Sequence, residues 1–225
     1  MAKCLKFYFD CISPYAWLAW RPVNAIALKH GIKLLPVPVV FAGLLNANGQ
    51  LGPAEMPNKR LFLIKDVMRR AASQNLTFNV PEYHPFNPLI SLRVASLDLP
   101  NEQSIQLTGK LLDAVWMHGE NISSPKVVSA IASSVGLNGA ACVSQALEDM
   151  ALKKALREQT DNAIAAGVFG VPTVGFNGEL FWGSESDSMN HLDAAIQGKD
   201  PVDYEVFERW KSIKAGAIRK RSHEV

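Results

Sequence analysis

A mostly apolar segment followed closely by a serine–proline pair is the feature that most constrains this chain. Residues 5–9 are largely apolar and aromatic and end at Asp10, a pattern typical of a buried strand. Ser13-Pro14 then opens an Ala- and Trp-rich run to His30, and proline suits a first helical turn because its φ is already helical. The sequence therefore predicts a strand, a short loop and a helix with a serine hydroxyl at its N-terminus.

A thioredoxin-like fold holds the first cysteine of its C-x-x-C motif at such a helix N-terminus. Here Ser13 stands at the place of the first cysteine and Ala16 at the place of the second. The turn therefore lacks both the attacking and the resolving thiol of a dithiol oxidoreductase. Ser13 can instead donate its O–H to an anion, for which the thiolate of a small thiol cofactor is the candidate. The alternative is that Ser13 only caps the helix, and these residues alone favour the two equally.

Strand character returns near the C-terminal end of the chain. Residues 171–176 and 179–182 are apolar runs, and the Asn-Gly pair at 177–178 between them indicates a tight hairpin. In thioredoxin-like folds a cis-proline before the third strand faces the helix N-terminus, so a match to that topology implies a cis peptide bond at Val171-Pro172. The backbone N–H and C=O of Val171 would then be free to pair with a peptide-like ligand. A trans proline at the start of an edge strand is the alternative.

Between these regions the pattern is almost entirely helical. A second strand is predicted over residues 32–40, and its two prolines restrict it to a sheet edge or to pairing on one side. The pattern changes from residue 43, and residues 46–53 are predicted to form a turn-rich loop. Five helices are then expected, over residues 57–70, 89–97, 102–118, 124–135 and 141–167. The first of these helices is expected to bury four apolar residues on one face, Leu61, Ile64, Val67 and Met68.

This order of elements predicts an α/β protein, namely a thioredoxin-like fold with a large all-helical insertion, as in DsbA-like proteins. The thioredoxin-like domain is expected to be discontinuous, formed by residues 1–42 and 168–200. Residues 43–167 would form the helical insertion domain. Residues 201–225 would form a C-terminal helical tail, with its helix over residues 202–221.

Composition and charge favour a soluble chain that acts on small molecules. The net charge of +2 gives no indication of nucleic acid binding. The longest uncharged apolar stretch, residues 34–45, is far shorter than the ~20 residues of a membrane-spanning helix. Three widely spaced cysteines form no disulfide framework, and the first strand leaves no room for a signal peptide, so a cytoplasmic location is expected. Five histidines without ligand spacing predict no metal site.

Taken together, these residues resemble the glutathione-dependent branch of the DsbA-like group, the 2-hydroxychromene-2-carboxylate isomerases and the kappa-class glutathione transferases. The resemblance covers about residues 4–198, and the order and spacing of its motifs are specific although each motif alone is weak. The motifs are Phe-Asp-x-x-Ser-Pro-Tyr at 9–15, Gly-x-x-Gly-Pro at 49–53, Lys59, Lys65-Asp66 with Arg69, Ala-Val-Trp at 114–116, Val-Phe-Gly-Val-Pro-Thr at 168–173 and Phe-Trp-Gly at 181–183.

The resemblance implies glutathione as a bound cofactor. The residues it implies for glutathione binding are Ser13, Gln50, Lys59, Val171, Pro172, Ser184 and Glu185. Ser13 would donate to the thiolate, Val171 would pair with the cysteinyl backbone, and Lys59 would reach a carboxylate. The chain departs from the family pattern where Gln50 replaces an asparagine and Glu185-Ser186 replaces an Asp-Arg pair. Because serine cannot replace a guanidinium fork, the second departure is expected to weaken glutathione binding by about 1–3 kcal/mol.

Three further residues are candidates for the substrate pocket: Asp10, Tyr15 and Arg93. Arg93 follows a proline on an inserted helix and could receive a substrate carboxylate. For Asp10 the alternative is a loop cap, and for Tyr15 it is an aromatic residue that faces the core.

The resemblance also implies an activity. The chain would isomerise 2-hydroxychromene-2-carboxylate to trans-o-hydroxybenzylidenepyruvate in aromatic hydrocarbon degradation, with catalytic Ser13 and a small aromatic carboxylate as substrate. Glutathione would be returned unchanged. A kappa-class transferase or peroxidase that consumes glutathione is the first alternative, and a non-catalytic protein that binds a thiol ligand is the second. The family further implies a homodimer.

Overall fold

The apolar run near the N-terminus forms an inner strand of a four-stranded mixed sheet. The computed structural model describes residues 3–217, and its strand order is β2-β1-β3-β4. The strands are β1 Cys4–Phe9, β2 Lys33–Pro38, β3 Thr173–Phe176 and β4 Glu179–Trp182. Strand β2 is parallel to β1, whereas β3 is antiparallel to both β1 and β4. Strands β1 and β4 therefore run in the same direction, and their C-terminal ends lie at the same edge of the sheet.

Helices pack around this sheet, and in the described part of the chain they are the regular elements between β2 and β3. The α-helices are α1 Pro14–His30, α2 Phe41–Ala47, α3 Pro57–Ser73, α4 Leu89–Ala95, α5 Asn101–Trp116, α6 Pro125–Ser134, α7 Gly139–Glu148, α8 Met150–Ala165, α9 Ser186–Ile196 and α10 Tyr204–Lys211. A single 3-10 turn at Pro53–Glu55 precedes α3. The architecture is a thioredoxin-like fold of the DsbA type, as the sequence predicted.

Helix α1 joins the sheet to the inserted helices. Phe7 and Phe9 of β1 pack with the buried face of α1 in one continuous core that reaches α5. The Trp17 indole donates its N–H to an Asp113 carboxylate oxygen on α5 at 2.8 Å. Arg21 donates to the same carboxylate at 2.9 and 3.0 Å. These contacts fix α1, and with it the turn that precedes α1, against α5.

Several sequence predictions are confirmed in detail. Helix α1 ends at Gly31, whose φ of +61° is the left-handed conformation that favours glycine. Strand β2 lies at the sheet edge, where its prolines leave no ladder hydrogen bond unmade. Asn177 and Gly178 both have positive φ, which is the requirement of a type I′ hairpin turn.

Two helix predictions were wrong. The single helix expected over residues 141–167 is two helices, α7 and α8, separated at Asp149. The Asp149 carboxylate accepts the N–H groups of Ala151 and Leu152 at 2.7 and 3.4 Å, so it caps a new helix and ends the preceding one. Helix α2 was not predicted, and its last two residues lie in the segment that was expected to be a loop.

The predicted buried face of α3 was also partly wrong. Leu63, Val67 and Ala71 are the buried residues, whereas Leu61 and Met68 are 64% and 54% exposed. Apolar residues occur on nearly every side of this helix, so periodicity alone did not select the face. The predicted tail helix is shorter in the described residues, where α10 covers Tyr204–Lys211, and its expected end lies outside them.

Helix α7 begins at Gly139, and only a glycine fits there against α6. A Cβ atom at this position would overlap the backbone carbonyl oxygen of Ser129 on α6. We expect Gly139→Ala to lower the free energy of unfolding by about 1–3 kcal/mol, the usual cost of overpacking. Urea unfolding measures this change. The control is Gly216→Ala, where a Cβ meets open space, and equal stability of the two variants would contradict the packing argument.

Candidate functional site

Ser13 ends the loop after β1 and begins α1. Its backbone N–H donates to the carbonyl oxygen of Asp10 at 3.0 Å, and its Oγ accepts the N–H of Ala16 at 3.3 Å. Ser13 is buried, with 7% of its surface exposed. It is therefore an N-cap, which is one of the two roles that the sequence left open. Because the cap uses Oγ as an acceptor, the hydroxyl hydrogen remains available for donation.

The proline segment from the far end of the chain lies directly opposite Ser13. The Ser13 hydroxyl donates to the carbonyl oxygen of Val171 at 3.4 Å, across 158 positions of sequence. The Val171–Pro172 bond is cis, as predicted. The carbonyl oxygen of Pro172 accepts the N–H of Gly183 at 3.0 Å. Three separate segments, the serine turn, the proline segment and the turn after β4, therefore meet at one edge of the sheet.

The Ser13–Val171 contact is long for a hydroxyl donor, whose usual distance to oxygen is about 2.7–2.8 Å. A ligand anion that entered between them would therefore displace a weak hydrogen bond. The position holds a proton donor, a helix N-terminus and the backbone of Val171, which lies outside the strand ladders. These groups together favour a negatively charged sulfur on a peptide.

The Asp10 carboxylate stabilises the loop by accepting backbone hydrogen bonds, and no contact among the described residues assigns it to a substrate pocket. One of its carboxylate oxygens accepts the N–H of Ile12 at 3.0 Å, and the other accepts the N–H of Phe41 at 2.9 Å. Burial raises the pKa of Asp10 to about 7, although these two N–H groups act to lower it. Asp10 therefore connects the serine loop to the first residue of α2, which is the loop-cap alternative raised by the sequence.

Two side chains of the inserted segment bind the carbonyl groups of the same loop. The Trp116 indole N–H donates to Cys11 O at 2.9 Å, and His84 Nε2 lies 3.1 Å from Ile12 O. Because a carbonyl can only accept, Nε2 of His84 carries the hydrogen. Burial, together with the nearby Arg60 charge, lowers the pKa of His84. The sequence singled out Trp116 in a motif, but it gave no signal that His84 reaches this loop.

Cys11 supplies no nucleophile. It is fully buried, and burial, with the adjacent Asp10 charge, raises the pKa of its thiol. Because the thiolate is the reactive form, a buried cysteine with a raised pKa is inert at neutral pH. The described part of the chain therefore offers no reactive thiol at the serine turn.

Helix α3 connects α1 to the turn after β4 through charged groups. The Tyr15 hydroxyl donates to Asp66 at 2.9 Å, and burial followed by this hydrogen bond raises the pKa of Tyr15. Arg70 donates from Nε to the same Asp66 oxygen at 2.6 Å. Its Nη2 lies 3.2 Å from Glu185, and its guanidinium stacks 5.6 Å from the Tyr15 ring centroid. Tyr15 is half-buried and packs against the core, which is one of the alternatives from the sequence, and its hydroxyl in addition anchors α1 to α3.

The remaining candidates for glutathione binding differ in their position and in their burial. Lys59 is exposed and lies seven residues before Asp66, so both project from the same face of α3 about two turns apart. Ser184 is 6% exposed, and its hydroxyl has no hydrogen-bond partner among the described residues. Glu185 precedes α9 without a side-chain capping bond. Gln50 is exposed in the loop after α2, and no hydrogen bond within residues 3–217 joins it to the serine turn.

Arg93 does not reach the loop. Its guanidinium donates to the carbonyl oxygen of Ala146 on α7 at 3.4 Å. Ser91, two positions earlier on α4, lies against the Cys11 thiol. Residues two apart on a helix point in nearly opposite directions, so Arg93 points away from the serine turn. The structure thus separates this candidate from the other site residues.

Two further findings concern residues 3–217. No three His, Cys, Asp or Glu side chains in this range lie close enough together to hold a metal ion. None of the helices in this range combines the length and apolar character needed to cross a bilayer.

The fold and the site define a thioredoxin-like protein whose active-site turn carries a serine and an alanine in place of two cysteines. The chain belongs to the DsbA-like thioredoxin domain family, whose model matches residues 4–197. It is similar to 2-hydroxychromene-2-carboxylate isomerase of Pseudomonas sp. (strain C18), at 27% identity over 200 residues that cover 86% of this chain and 90% of the relative.

A second relative has a different activity. Glutathione S-transferase kappa 1 of Rattus norvegicus is 24% identical over 181 residues, which cover 76% of this chain and 80% of the relative. A solved structure of selenomethionine 2-hydroxychromene-2-carboxylate isomerase superposes with a TM-score of 0.79 at 22% identity. The superposition covers 94% of this chain and 100% of the isomerase chain, which establishes the shared fold.

The raised pKa of Asp10 predicts a pH dependence of stability. An unfolded aspartate titrates near 3.9, whereas folded Asp10 titrates near 7, so the folded protein binds this proton more tightly. The stabilisation that Asp10 contributes to the folded state is therefore fully present below the unfolded pKa, and it is lost as the pH rises toward the folded pKa. Relative to Asp10→Asn, the wild type should lose up to about 4 kcal/mol of unfolding free energy between about pH 4 and pH 7.

Urea unfolding across this pH range measures the difference between the two proteins. The exposed carboxylate Asp161 provides the control, because Asp161→Asn should leave the wild-type pH profile nearly unchanged. A wild-type profile parallel to that of Asp10→Asn would show that Asp10 titrates alike in the folded and unfolded states.

Proposed function

We propose that this protein is a glutathione-dependent isomerase that interconverts 2-hydroxychromene-2-carboxylate and trans-o-hydroxybenzylidenepyruvate. The observation that carries this proposal is the Ser13 hydroxyl at the N-terminus of α1, opposite the Val171 backbone and without a reactive thiol beside it. A thioredoxin-like site without its own thiols needs a sulfur from a ligand. Similarity to an isomerase and to a glutathione transferase supports glutathione as that ligand.

The chemistry of three of the candidate residues supports glutathione as the ligand. Ser13 would donate its hydroxyl hydrogen to the thiolate, and the α1 N-terminus would add favourable electrostatics. A free thiol titrates near 8.5, and such an environment brings thiol pKa values below neutral in other proteins. Val171 would pair with the cysteinyl backbone beside Pro172, and Lys59, which has no ion pair among the described residues, would meet a carboxylate.

When bound, glutathione would supply a thiolate that adds reversibly to a conjugated double bond and leaves after rotation about the resulting single bond. The protein's part is to keep the sulfur ionised and the substrate oriented. Ser13 gives up its 3.4 Å contact with Val171 when it donates to the thiolate. Asp10, Trp116 and His84 hold the loop so that the hydroxyl keeps its position during the reaction.

A kappa-class glutathione transferase or peroxidase is the alternative, because a kappa-class relative matches the chain at similar identity. The two activities differ in whether glutathione is consumed. An assay with a chromene carboxylate and substoichiometric glutathione should give many turnovers with the thiol concentration unchanged. Loss of thiol in proportion to product would favour the transferase.

We also propose a homodimer and a cytoplasmic location. The dimer follows from the resemblance, and light scattering should give twice the chain mass of 24.6 kDa. The mass of a single chain would contradict it. The three cysteines are all free, which supports a reducing compartment.

Glutathione should stabilise the native state. A ligand at 100 times its dissociation constant adds about 2.7 kcal/mol, so about 10 mM glutathione should raise the melting temperature by a few degrees. S-methylglutathione should raise it less, because it offers no thiolate to Ser13. No shift with glutathione would contradict the proposal and favour a non-catalytic protein that binds a different thiol ligand.

Ser13→Ala should retain the fold and lose most activity at neutral pH. Loss of the hydroxyl should raise the pKa of the bound thiol by about one to two units, which lowers the rate about tenfold to a hundredfold. Activity should recover in part at higher pH, where the thiol ionises unaided. Ser13→Thr is the control, since it keeps a hydroxyl and can still cap α1. Coincident pH–rate profiles for wild type and Ser13→Ala would mean that Ser13 is only a helix cap.

A further inference from the structure

Arg70 on α3 occupies a junction that the proposed mechanism does not use. Its guanidinium contacts Asp66 on the same helix, Glu185 at the turn after β4 and the ring of Tyr15, two residues after Ser13. The side chain is 29% exposed, and only Nε and Nη2 have partners among the described residues. The guanidinium therefore keeps N–H groups directed to solvent beside the serine turn.

Two groups next to Glu185 lack a hydrogen-bond partner or a side-chain cap in the described part of the chain. The Ser184 hydroxyl, next to Glu185, is buried without a hydrogen bond, and α9 starts at Ser186 without a side-chain cap. The first backbone N–H groups of a helix without such a cap favour an anion. Asp66 and Glu185 carry two negative charges against the single positive charge of Arg70, so a cation is also favoured. A ligand with one carboxylate and one ammonium group on the same carbon meets both requirements.

We propose that Arg70 selects the free α-amino acid end of the ligand. Its guanidinium binds the α-carboxylate beside Ser184 and the N-terminus of α9, while Glu185 accepts a hydrogen bond from the α-ammonium. This inference rests on the proposed function, since glutathione carries such a free α-amino acid group at its γ-glutamyl end. It also explains how the chain can hold that end although residue 186 is a serine.

The position of Arg70 distinguishes it from the other cations of α3. Arg69 is exposed and has no ion pair among the described residues, and Lys59 lies three turns away along the helix. Arg70 alone among these three is fixed by two carboxylates and an aromatic ring. A guanidinium held in this way loses little conformational entropy when it binds a carboxylate, and its Nη1 N–H groups remain to donate to that group.

Calorimetric titration of the full-length protein tests the proposal with two ligands. The first is glutathione, and the second is γ-aminobutyryl-cysteinyl-glycine, which lacks only the α-carboxylate. Arg70→Ala should weaken glutathione binding by about tenfold to a hundredfold, the scale of a hydrogen bond to a charged group. It should change the affinity for the truncated tripeptide by less than about threefold, because that ligand makes no contact with Arg70.

Two further variants separate a direct role from a structural one. Arg69→Ala removes the same charge from the neighbouring exposed position and should leave glutathione affinity nearly unchanged. The double variant Arg70→Ala/Ser186→Arg returns a guanidinium to the start of α9 and should recover most of the lost affinity. Melting temperatures of all variants show whether each remains folded.

Each outcome either supports or overturns the assignment. Equal glutathione affinities of Arg70→Ala and Arg69→Ala would overturn the role of Arg70 while leaving the proposed function intact. An equal loss of affinity for both tripeptides would show that Arg70 only supports the fold. No binding of glutathione by the wild type would overturn both the assignment and the proposed function.

Discussion

The hydrogen bonds that hold the loop before α1 are the constraint on which the rest of this site depends. The Ser13 hydroxyl faces Val171 because the backbone of the three residues before it is held by hydrogen bonds. The Asp10 carboxylate accepts the N–H of Ile12, while Trp116 and His84 bind the carbonyl groups of Cys11 and Ile12. These partners come from the end of β1 and from the inserted segment, so the loop is stable only when the insertion packs against the sheet.

The inserted helices therefore position the site rather than merely cover it. Helix α5 holds α1 through Asp113 and holds the loop through Trp116. Helix α3 reaches the other side of the turn, where Asp66 binds Tyr15 and Arg70 binds Glu185. Each contact joins residues that are distant in the chain. Together these contacts bring polar side chains of the helices to the edge of the sheet where the serine turn lies. A ligand at this edge would meet groups from α1, α3 and the turn before α9 together.

The sequence predicted those parts that depend on local patterns. The strand, the serine cap and the hairpin are specified within a few residues, and each was found where expected. The cis bond at Val171-Pro172 was also found, but its prediction came from the thioredoxin-like topology and not from local sequence. Contacts across the fold were not predictable. His84 and Arg70 are ordinary loop and helix residues until packing brings them to the serine turn, and the motif that contains Asp66 gave no sign of its partner Tyr15. The break at Asp149 did have a local signal, an aspartate before a helical run, but an unbroken helical pattern around it concealed this. Arg93 shows the opposite error, since its residue type suited a carboxylate but its position on α4 points it toward α7.

We propose above all that the Ser13 hydroxyl stabilises the thiolate of a bound ligand. The most direct test is the pKa of bound glutathione, followed by the ultraviolet absorbance of its thiolate in complexes with wild type and Ser13→Ala. We predict a wild-type value below that of the free thiol, which lies near 8.5, and a value about one to two units higher in Ser13→Ala. Equal values in the two complexes, or a wild-type value at or above that of free glutathione, would contradict the claim.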